Sequence, residues 1–243
     1  MSELIDRRYQ RQVMLPEIGE EGQHKLQNSS ILVVGAGGLG GAVLQYLAAA
    51  GIGRLDIIDG DSVDITNLNR QILYEDQDIG LPKAQQAALR LRKLNNTIKI
   101  DHIDKKLTEE NASEIISGYS ALALCLDSIE PRIAANRACV KAGIKFVEAG
   151  VCEFYGIMTT VIPGLTPCYE CARAYRAKSP KSIPILGAMA GWVGCAEALA
   201  AIRLLLEIPD DSMGDLLYFN GMKMTIEKIS LTRNPNCGAC GHL

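Results

Sequence analysis

Residues 31–40, ILVVGAGGLG, indicate how the chain folds. Their continuous apolar run predicts a strand that is buried on both faces of a sheet. The run leads into a glycine-rich turn and a helix that ends at Gly51. Glycines let the backbone of such a turn approach a phosphate closely, and the N-terminus of the following helix offers free N–H groups. The candidate nucleotide ligands in this turn are Gly35, Gly37, Gly38 and Gly40.

Strands and helices alternate on both sides of this turn. Further strands are predicted at 54–61, 98–104, 121–127 and 145–150, and helices at 17–28, 82–95 and 131–143. This alternation is typical of a parallel sheet with right-handed crossovers, and Pro82 suits the first position of its helix. After about residue 150 a longer strand, a long apolar helix and two antiparallel strands follow. We predict a Rossmann-like α/β fold in a single domain, 1–243, with a nucleotide-binding core at about 28–150.

Composition and charge exclude several classes of protein. Apolar residues make up 48% of the 243 residues and the net charge is −3, so we expect a globular protein that does not bind nucleic acid. The most apolar long window contains Glu197 and Arg203, which argues against a membrane span. The charged N-terminus lacks the apolar segment of a signal peptide. We therefore expect a cytoplasmic protein with reduced thiols.

Asp59 follows the glycine turn at the end of the second predicted strand, 19 residues beyond Gly40. An acidic residue at this distance is typical of one that binds ribose hydroxyls. The turn and this carboxylate together fit an NAD-dependent oxidoreductase as well as an ATP-binding enzyme. The sequence up to this point predicts a nucleotide site without deciding between the two.

Charged residues after the second strand favour a triphosphate. Asp61, Asn67 and Arg70 follow closely, and Lys83 begins the next predicted helix. Arginine grips phosphate in a fixed fork and lysine acts as a point charge, whereas a nicotinamide needs neither beside its reacting ring. A solvated loop is the alternative for Arg70, and an ordinary lysine at a helix start is the alternative for Lys83.

Asp127 ends the buried run ALALCLD. Ligands of open α/β sheets lie at the carboxyl ends of the strands, and a carboxylate there suits Mg²⁺ that bridges phosphate oxygens. The alternative is that Asp127 caps the N-terminus of the next helix.

Eight cysteines in a reduced protein need an explanation other than disulfides. Two C-x-x-C pairs provide four thiolates for a tetrahedral zinc site without an open position, which predicts a structural role. A pair of redox motifs is the alternative. The zinc ligands are predicted to be Cys168, Cys171, Cys237 and Cys240, in a zinc and substrate region at about 151–243. The other four cysteines are expected to be buried: Cys125, Cys139, Cys152 and Cys195.

In order and spacing, these motifs resemble the E1-like adenylating enzymes of the ThiF/MoeB/HesA type. The resemblance starts at Arg8-Tyr9-x-Arg11-Gln12, runs through GAGGLG, DGDSVDITNLNRQ, GLPK and CLDSIEPR, and ends with both C-x-x-C pairs. It implies an eight-stranded sheet and a homodimer. It also implies ATP-dependent adenylation of a carboxylate, which forms an acyl-adenylate and pyrophosphate.

The resemblance also implies roles for individual residues. Asp59 would bind the ribose, and Asp127 would hold Mg²⁺. Arg11 would act in the active site of the other subunit. Contacts to the phosphates and to the charge of the transition state would come from Asn67, Arg70 and Lys83.

One departure from the family concerns the substrate. Many members carry a cysteine between the first zinc pair and the long helix, but residues 172–191, ARAYRAKSPKSIPILGAMAG, contain none. The nearest thiol, Cys195, is expected to pack in the core. Two substrates are therefore predicted equally. One is the C-terminal glycine of a ubiquitin-like sulfur carrier. The other is a small-molecule carboxylate, as in the branch that activates a pyridinol for [Fe]-hydrogenase cofactor synthesis, with a partner protein receiving the acyl group. A non-catalytic scaffold and an NAD-dependent oxidoreductase are the remaining alternatives.

Overall fold

The computed structural model describes residues 3–172, 184–209 and 211–243. Helices and strands alternate through most of this range. The helices are α1 (Glu3–Val13), α2 (Gly19–Gln27), α3 (Gly38–Ala50), α4 (Lys83–Leu94), α5 (Glu109–Ile116), α6 (Ile129–Ala142) and α7 (Gly187–Leu206). The strands are β1 (Ser30–Val34), β2 (Arg54–Ile58), β3 (Lys99–Ile103), β4 (Ala121–Leu124), β5 (Lys145–Cys152), β6 (Tyr155–Val161), β7 (Leu216–Asn220) and β8 (Thr225–Ile229).

The eight strands form one sheet in the order β3-β2-β1-β4-β5-β6-β7-β8. The first five strands of this order are parallel, and β6, β7 and β8 are antiparallel to their neighbours. The predicted Rossmann-like sheet with antiparallel C-terminal strands is confirmed. β1 lies beside both β2 and β4, so the strand order reverses at β1. Ligands of open α/β sheets bind at such a reversal.

The sheet buries apolar side chains on both faces, as the continuous apolar runs predict. Alternate residues of β1, such as Ile31 and Leu32, belong to separate core clusters. Helices α3, α4 and α7 cover one face, whereas α5, α6 and the paired cysteines cover the other. Helix α7 is long and apolar enough to cross a membrane. It packs instead on α3, β4, β5 and β6 as the central helix of its core.

Helix ends follow the sequence signals closely. Gly51 and Gly143 terminate α3 and α6 in the left-handed conformation that glycine adopts easily. Pro82 was predicted at the first helical position, but it is the N-cap residue of α4, with an extended backbone. An antiparallel bridge between Pro82 and Ser62 keeps the backbone of Pro82 extended, so the helix starts one residue later. Helices α1 and α5 were not predicted.

Helix α1 is anchored at the far end of the molecule from the glycine turn. The Tyr9 ring packs on Gly51, where an added Cβ would lie 2.5 Å from a ring carbon. The Tyr9 hydroxyl accepts a hydrogen bond of 2.8 Å from the side chain of Asn95, which follows α4. Helix α3 starts at the glycine turn and ends at Gly51, which places α1 about 20 Å from that turn.

Candidate active site

The glycine turn is packed too closely for any larger residue at two positions. Gly35 has φ 100°, and a Cβ there would lie 2.5 Å from the carbonyl oxygen of Cys125. A Cβ on Gly40 would lie 1.9 Å from the carbonyl oxygen of Gly35. The end of β1, the start of α3 and the end of β4 therefore meet backbone to backbone. This contact leaves the N-terminus of α3 open toward a ligand.

A cavity of 640 Å³ opens beside this turn. Its volume lies within the range of small-molecule and cofactor sites. It is lined by residues that follow β1, β2, β3 and β4, and by the start of α4. Of the predicted site residues, the cavity is lined by Gly35, Gly37, Gly38, Asp59, Asp61, Arg70, Lys83 and Asp127.

Asp59 joins the end of β2 to the glycine turn. Its two carboxylate oxygens each accept a backbone hydrogen bond of 2.8 Å, one from Ala36 and one from Asp61. Burial raises the pKa of Asp59, while these two amides and Lys83 counteract the rise. A carboxylate has room for further hydrogen bonds, so Asp59 can still accept the hydroxyl groups of a ribose.

Lysines surround Asp61 at the mouth of the cavity. Lys83 is 6% exposed, and its Nζ lies 3.9 Å from the Asp61 carboxylate. Lys106 Nζ lies 3.0 Å from the same carboxylate, which raises the pKa of Lys106. Lys105 and Lys106 both line the cavity, although sequence reasoning did not select them. Their only signal was their position just after a predicted strand.

Arg70 and Gln71 form the wall that faces the glycine turn. Arg70 donates hydrogen bonds to the carbonyl of Thr66 at 2.8 Å and to the side chain of Asn69 at 3.0 Å. Gln71 is buried, and its Oε1 has no hydrogen-bond partner among the described residues. A buried polar atom of this kind at a cavity wall fits a site that binds a polar ligand.

Asn67 does not line the cavity. Its side-chain oxygen accepts a hydrogen bond from the backbone of Asp64, at the start of a short 3₁₀ turn, Ile65–Asn67. Its role toward phosphate therefore stays a prediction. Gly40 also lies behind the lining, where it serves the close packing of the turn.

Asp127 is exposed in the loop between β4 and α6. The N-cap residue of α6 is Ser128, so the interpretation of Asp127 as a helix cap is wrong. The side chain remains available to the cavity that it lines. Together with Asp59 and Asp61 it provides carboxylate oxygens, the ligand type that Mg²⁺ prefers.

Arg132 holds this loop in place, and sequence reasoning did not identify it. Its guanidinium forms an ion pair with Glu148 of β5 and donates hydrogen bonds to the carbonyls of Leu126 and Ala149, the latter at 3.0 Å. Burial lowers the pKa of Arg132. These contacts fix the Asp127 loop against β5.

Arg11 is exposed on α1 and does not line the cavity of its own chain. Helix α1 packs beside Gly51, at the opposite end of α3 from the glycine turn. Arg11 therefore cannot serve the active site of its own chain without a rearrangement of α1.

The four cysteines of the C-x-x-C pairs meet on the face covered by α6. Their sulfur atoms all lie within 4.8 Å of one another. Three of the separations are 3.4, 3.7 and 3.9 Å. Tetrahedral zinc with Zn–S bonds of about 2.3 Å requires sulfur atoms about 3.8 Å apart, so the cluster fits zinc. Asn136 of α6 donates a long hydrogen bond of 3.7 Å to Cys168 Sγ.

The other four cysteines differ from the prediction. Cys125 and Cys139 are buried as expected, but Cys152 and Cys195 are exposed. Cys195 points outward because α7 buries only one side of its surface at that turn, so the prediction of a core position is wrong. The segment that lacks a cysteine lies largely outside the described residues, which resume at residue 184.

The ThiF family matches residues 9–239, which is nearly the whole chain. The chain belongs to the ThiF family. ATP binding is expected of this family, and the four thiolates could hold a zinc ion.

Relatives within the ThiF family are adenylyltransferases. The SAMP-activating enzyme E1 of Haloferax volcanii is 37% identical over 240 residues, which cover 96% of this chain and 88% of the relative. The sulfur carrier protein adenylyltransferase of Thermus thermophilus is 37% identical over 245 residues, with 96% and 90% covered. Mouse adenylyltransferase and sulfurtransferase MOCS3 is 39% identical over 241 residues, but the chain spans only 52% of its length. The chain is an E1-like adenylyltransferase.

Solved structures share the fold of this ThiF-family chain. E. coli MccB with MccA-N7isoASN has a TM-score of 0.86 and 22% identity, covering 99% of this chain and 75% of MccB. E. coli MccB with AMPCPP and MccA has a TM-score of 0.83 and 25% identity, covering 96% and 74%. At this level of identity we take the likeness as one of fold.

Proposed function

We propose that the chain adenylates the C-terminal carboxylate of a ubiquitin-like sulfur carrier protein. The observation that carries this proposal is the length of the match to two relatives that are named for such substrates. The chain covers 88% of the SAMP-activating enzyme and 90% of the sulfur carrier adenylyltransferase. The cavity supports the same reaction, because it combines a glycine turn with three lysines and two arginines.

In the proposed mechanism, a carboxylate oxygen attacks the α-phosphorus of ATP, and the bond to pyrophosphate breaks. No general base is needed, because the attacking carboxylate is already ionised near pH 7. The enzyme has to bring two anions together and stabilise the charge that develops. Arg70 and Lys83 bind the phosphates, and Asp59 binds the ribose. Asp127 would hold Mg²⁺, which would supply positive charge to the phosphates when it is bound.

A small-molecule carboxylate is the second candidate substrate. The observation that favours it is the absence of cysteine from residues 172–191, where many members of this family carry one. Without that thiol the acyl group stays on AMP until an acceptor protein takes it. The pyridinol branch of the family is one example of such chemistry and stays a prediction for this chain.

ATP–pyrophosphate exchange tests the choice of substrate. Dialysed protein is mixed with source-cell extract that has been divided by a size cutoff, and label transfer from pyrophosphate to ATP is measured. We expect exchange to follow the macromolecular fraction and to disappear after protease treatment. Exchange that follows the small-molecule fraction would replace the carrier by a metabolite. ATP binding without exchange in either fraction would contradict adenylation of both substrates.

We also propose that Arg11 acts in the active site of a second copy of the chain. Mixed dimers of Arg11→Ala and Asp127→Ala subunits test this arrangement, since one of the two sites then keeps both residues. We expect each variant alone to be nearly inactive, and the mixed dimer to recover up to about half of the activity per dimer, because one of its two sites is intact. Activity is measured by pyrophosphate exchange.

Arg7→Ala is the matched control for Arg11→Ala, because Arg7 is an exposed arginine one helical turn away on α1. It should keep wild-type activity. Verified mixed dimers without any recovery would argue against action across the dimer. Full activity of Arg11→Ala alone would remove Arg11 from the mechanism.

A further inference from the structure

Glu197 is a completely buried carboxyl group in the middle of α7. Its relative exposure is 0%. Its Oε2 accepts a hydrogen bond of 3.5 Å from the thiol of Cys125, and its Oε1 has no hydrogen-bond partner among the described residues. The group does not line the nucleotide cavity. The mechanism above therefore does not use Glu197, although burial of an acid costs free energy.

No cation is free to neutralise Glu197 in the structure described. The charge of Arg132 lowers the pKa of Glu197, but Arg132 is already held by Glu148 and by two carbonyl groups. Helices α2 and α3 and strands β4, β5 and β6 also pack on α7. Neither α3 nor β4 contains a charged residue. The remaining titratable groups on these elements are Glu20, Glu21, His24, Lys25, Tyr46, Lys145, Cys152 and Tyr155. Burial raises the pKa of Glu197 to about 8, so the carboxyl group is mostly protonated at neutral pH.

Cys125 connects this acid to the glycine turn. It lines the cavity. Its carbonyl oxygen would lie 2.5 Å from a Cβ added at Gly35. Its backbone N–H donates a hydrogen bond of 2.8 Å to Val34, the last residue of β1. The thiol faces Glu197 on the other side. Cys125 thus lies between the acid and the turn.

We propose that Glu197 is a positioning residue for the nucleotide site. As an uncharged acid it holds Cys125, and through Cys125 the glycine turn, without placing a negative charge behind the phosphates. This inference rests on the proposed nucleotide site. When Glu197 ionises, the new anion repels the triphosphate, and Arg132, whose charge acts on Glu197, is already paired with Glu148.

The sign of the pH effect follows from the linkage between the two anions. A bound triphosphate disfavours the ionised form of Glu197, so its pKa is higher in the complex than in the free protein. ATP affinity is therefore unaffected well below pH 8 and falls as the pH rises above it. If the bound nucleotide raises the pKa of Glu197 by about one unit, affinity falls about fivefold between pH 7 and pH 9.

Glu197→Gln provides the decisive variant, because glutamine has the same shape and never ionises. ATP affinity is measured by calorimetry from pH 7 to pH 9 with Mg²⁺ in excess. We expect the variant to bind within about twofold of the wild type at pH 7 and to lose the alkaline fall in affinity. Glu197→Leu, which cannot accept the thiol hydrogen bond, should bind ATP about three- to tenfold more weakly at pH 7.

Asp56→Asn is the matched control, since Asp56 is also a buried acid but contacts Arg54 and Tyr119 away from the cavity. Like the wild type, this variant should lose ATP affinity as the pH rises above 8. If Glu197→Gln keeps the fall as well, or if the wild type shows none, Glu197 has no such role while the nucleotide site stands. A wild type that binds no ATP at pH 7 would overturn the proposed function and this inference with it. If Glu197→Leu does not fold, the pH dependence of ATP affinity in Glu197→Gln and in the wild type still tests the proposal.

Discussion

Replacing Asp127 with alanine should slow ATP–pyrophosphate exchange about 10²- to 10³-fold while the protein keeps its fold. Loss of one well-placed electrostatic contact to developing charge costs about 3–4 kcal/mol of activation free energy. Asp127 lies in the loop at the end of β4, where it lines the cavity beside Asp59. It is exposed and does not cap α6, so its removal leaves no buried group unpaired. Thermal unfolding should therefore stay within about 1 °C of the wild type.

Two further variants test whether the loss of exchange depends on the position and the charge of Asp127. Glu130→Ala removes an exposed acid from the first turn of α6, three residues from Asp127 and outside the cavity lining. It should exchange pyrophosphate at the wild-type rate. Asp127→Asn keeps the shape of the side chain but not its charge, and should be nearly as slow as the alanine variant. Full activity of Asp127→Ala would remove this carboxylate from the mechanism.

Replacing Cys240 with serine should destabilise the protein more than any surface change. The four thiolates fit a tetrahedral metal, and 65 residues separate Cys171 from Cys237. Closing a loop of that length contributes about 4 kcal/mol in the chain-entropy model. For a chain of this size the loss corresponds to about 10 °C in the unfolding temperature. We also expect the tail that follows β8 to become sensitive to protease, because the cluster ties it to residues 168–171.

Cys152→Ser is the control for this experiment, since Cys152 is an exposed cysteine outside the cluster. It should retain about one zinc ion per chain and the wild-type unfolding temperature. Zinc is measured by atomic emission alongside the thermal scan. A wild-type protein without metal, and with the same stability as Cys240→Ser, would contradict the structural role of zinc.

Most of the sheet could be predicted from the sequence because its strands are short apolar runs between clear stops. β4 is fully buried and β1 is buried except at Ser30, so both appear as continuous apolar runs, and glycines end α3 and α6. Helix α5 was missed because it has only 8 residues. Its signal was local, a pair of reciprocal hydrogen bonds between Thr108 and Asn111 at its start. Asparagine is not the usual partner in that motif.

The sequence predicted those site residues that belong to a motif and also directly follow a predicted strand. The glycine turn, Asp59 and Asp127 each follow a strand that the pattern reveals. Lys106 and Arg132 needed the fold, because one meets Asp61 across the cavity and the other fixes the Asp127 loop from behind. Sequence spacing carries no information about such contacts between distant residues. In the sequence, Glu197 is an isolated acidic residue in an apolar helix, and only the structure shows its contact with Cys125.

The backbone contacts at the glycine turn bear on how enzymes of this kind can diversify. Added atoms at Gly35 or Gly40 would overlap backbone oxygen atoms at 2.5 and 1.9 Å, and backbone cannot move aside as a side chain can. Any substitution at Gly35 or Gly40 should therefore disrupt the turn. Nucleotide recognition cannot be adjusted by small changes at these two positions. Exposed side chains such as Cys152 and Phe154, at the end of β5 and just after it, have no such restriction. Gradual change of acyl substrate is therefore expected at positions outside the glycine turn, while the nucleotide half of the reaction stays the same.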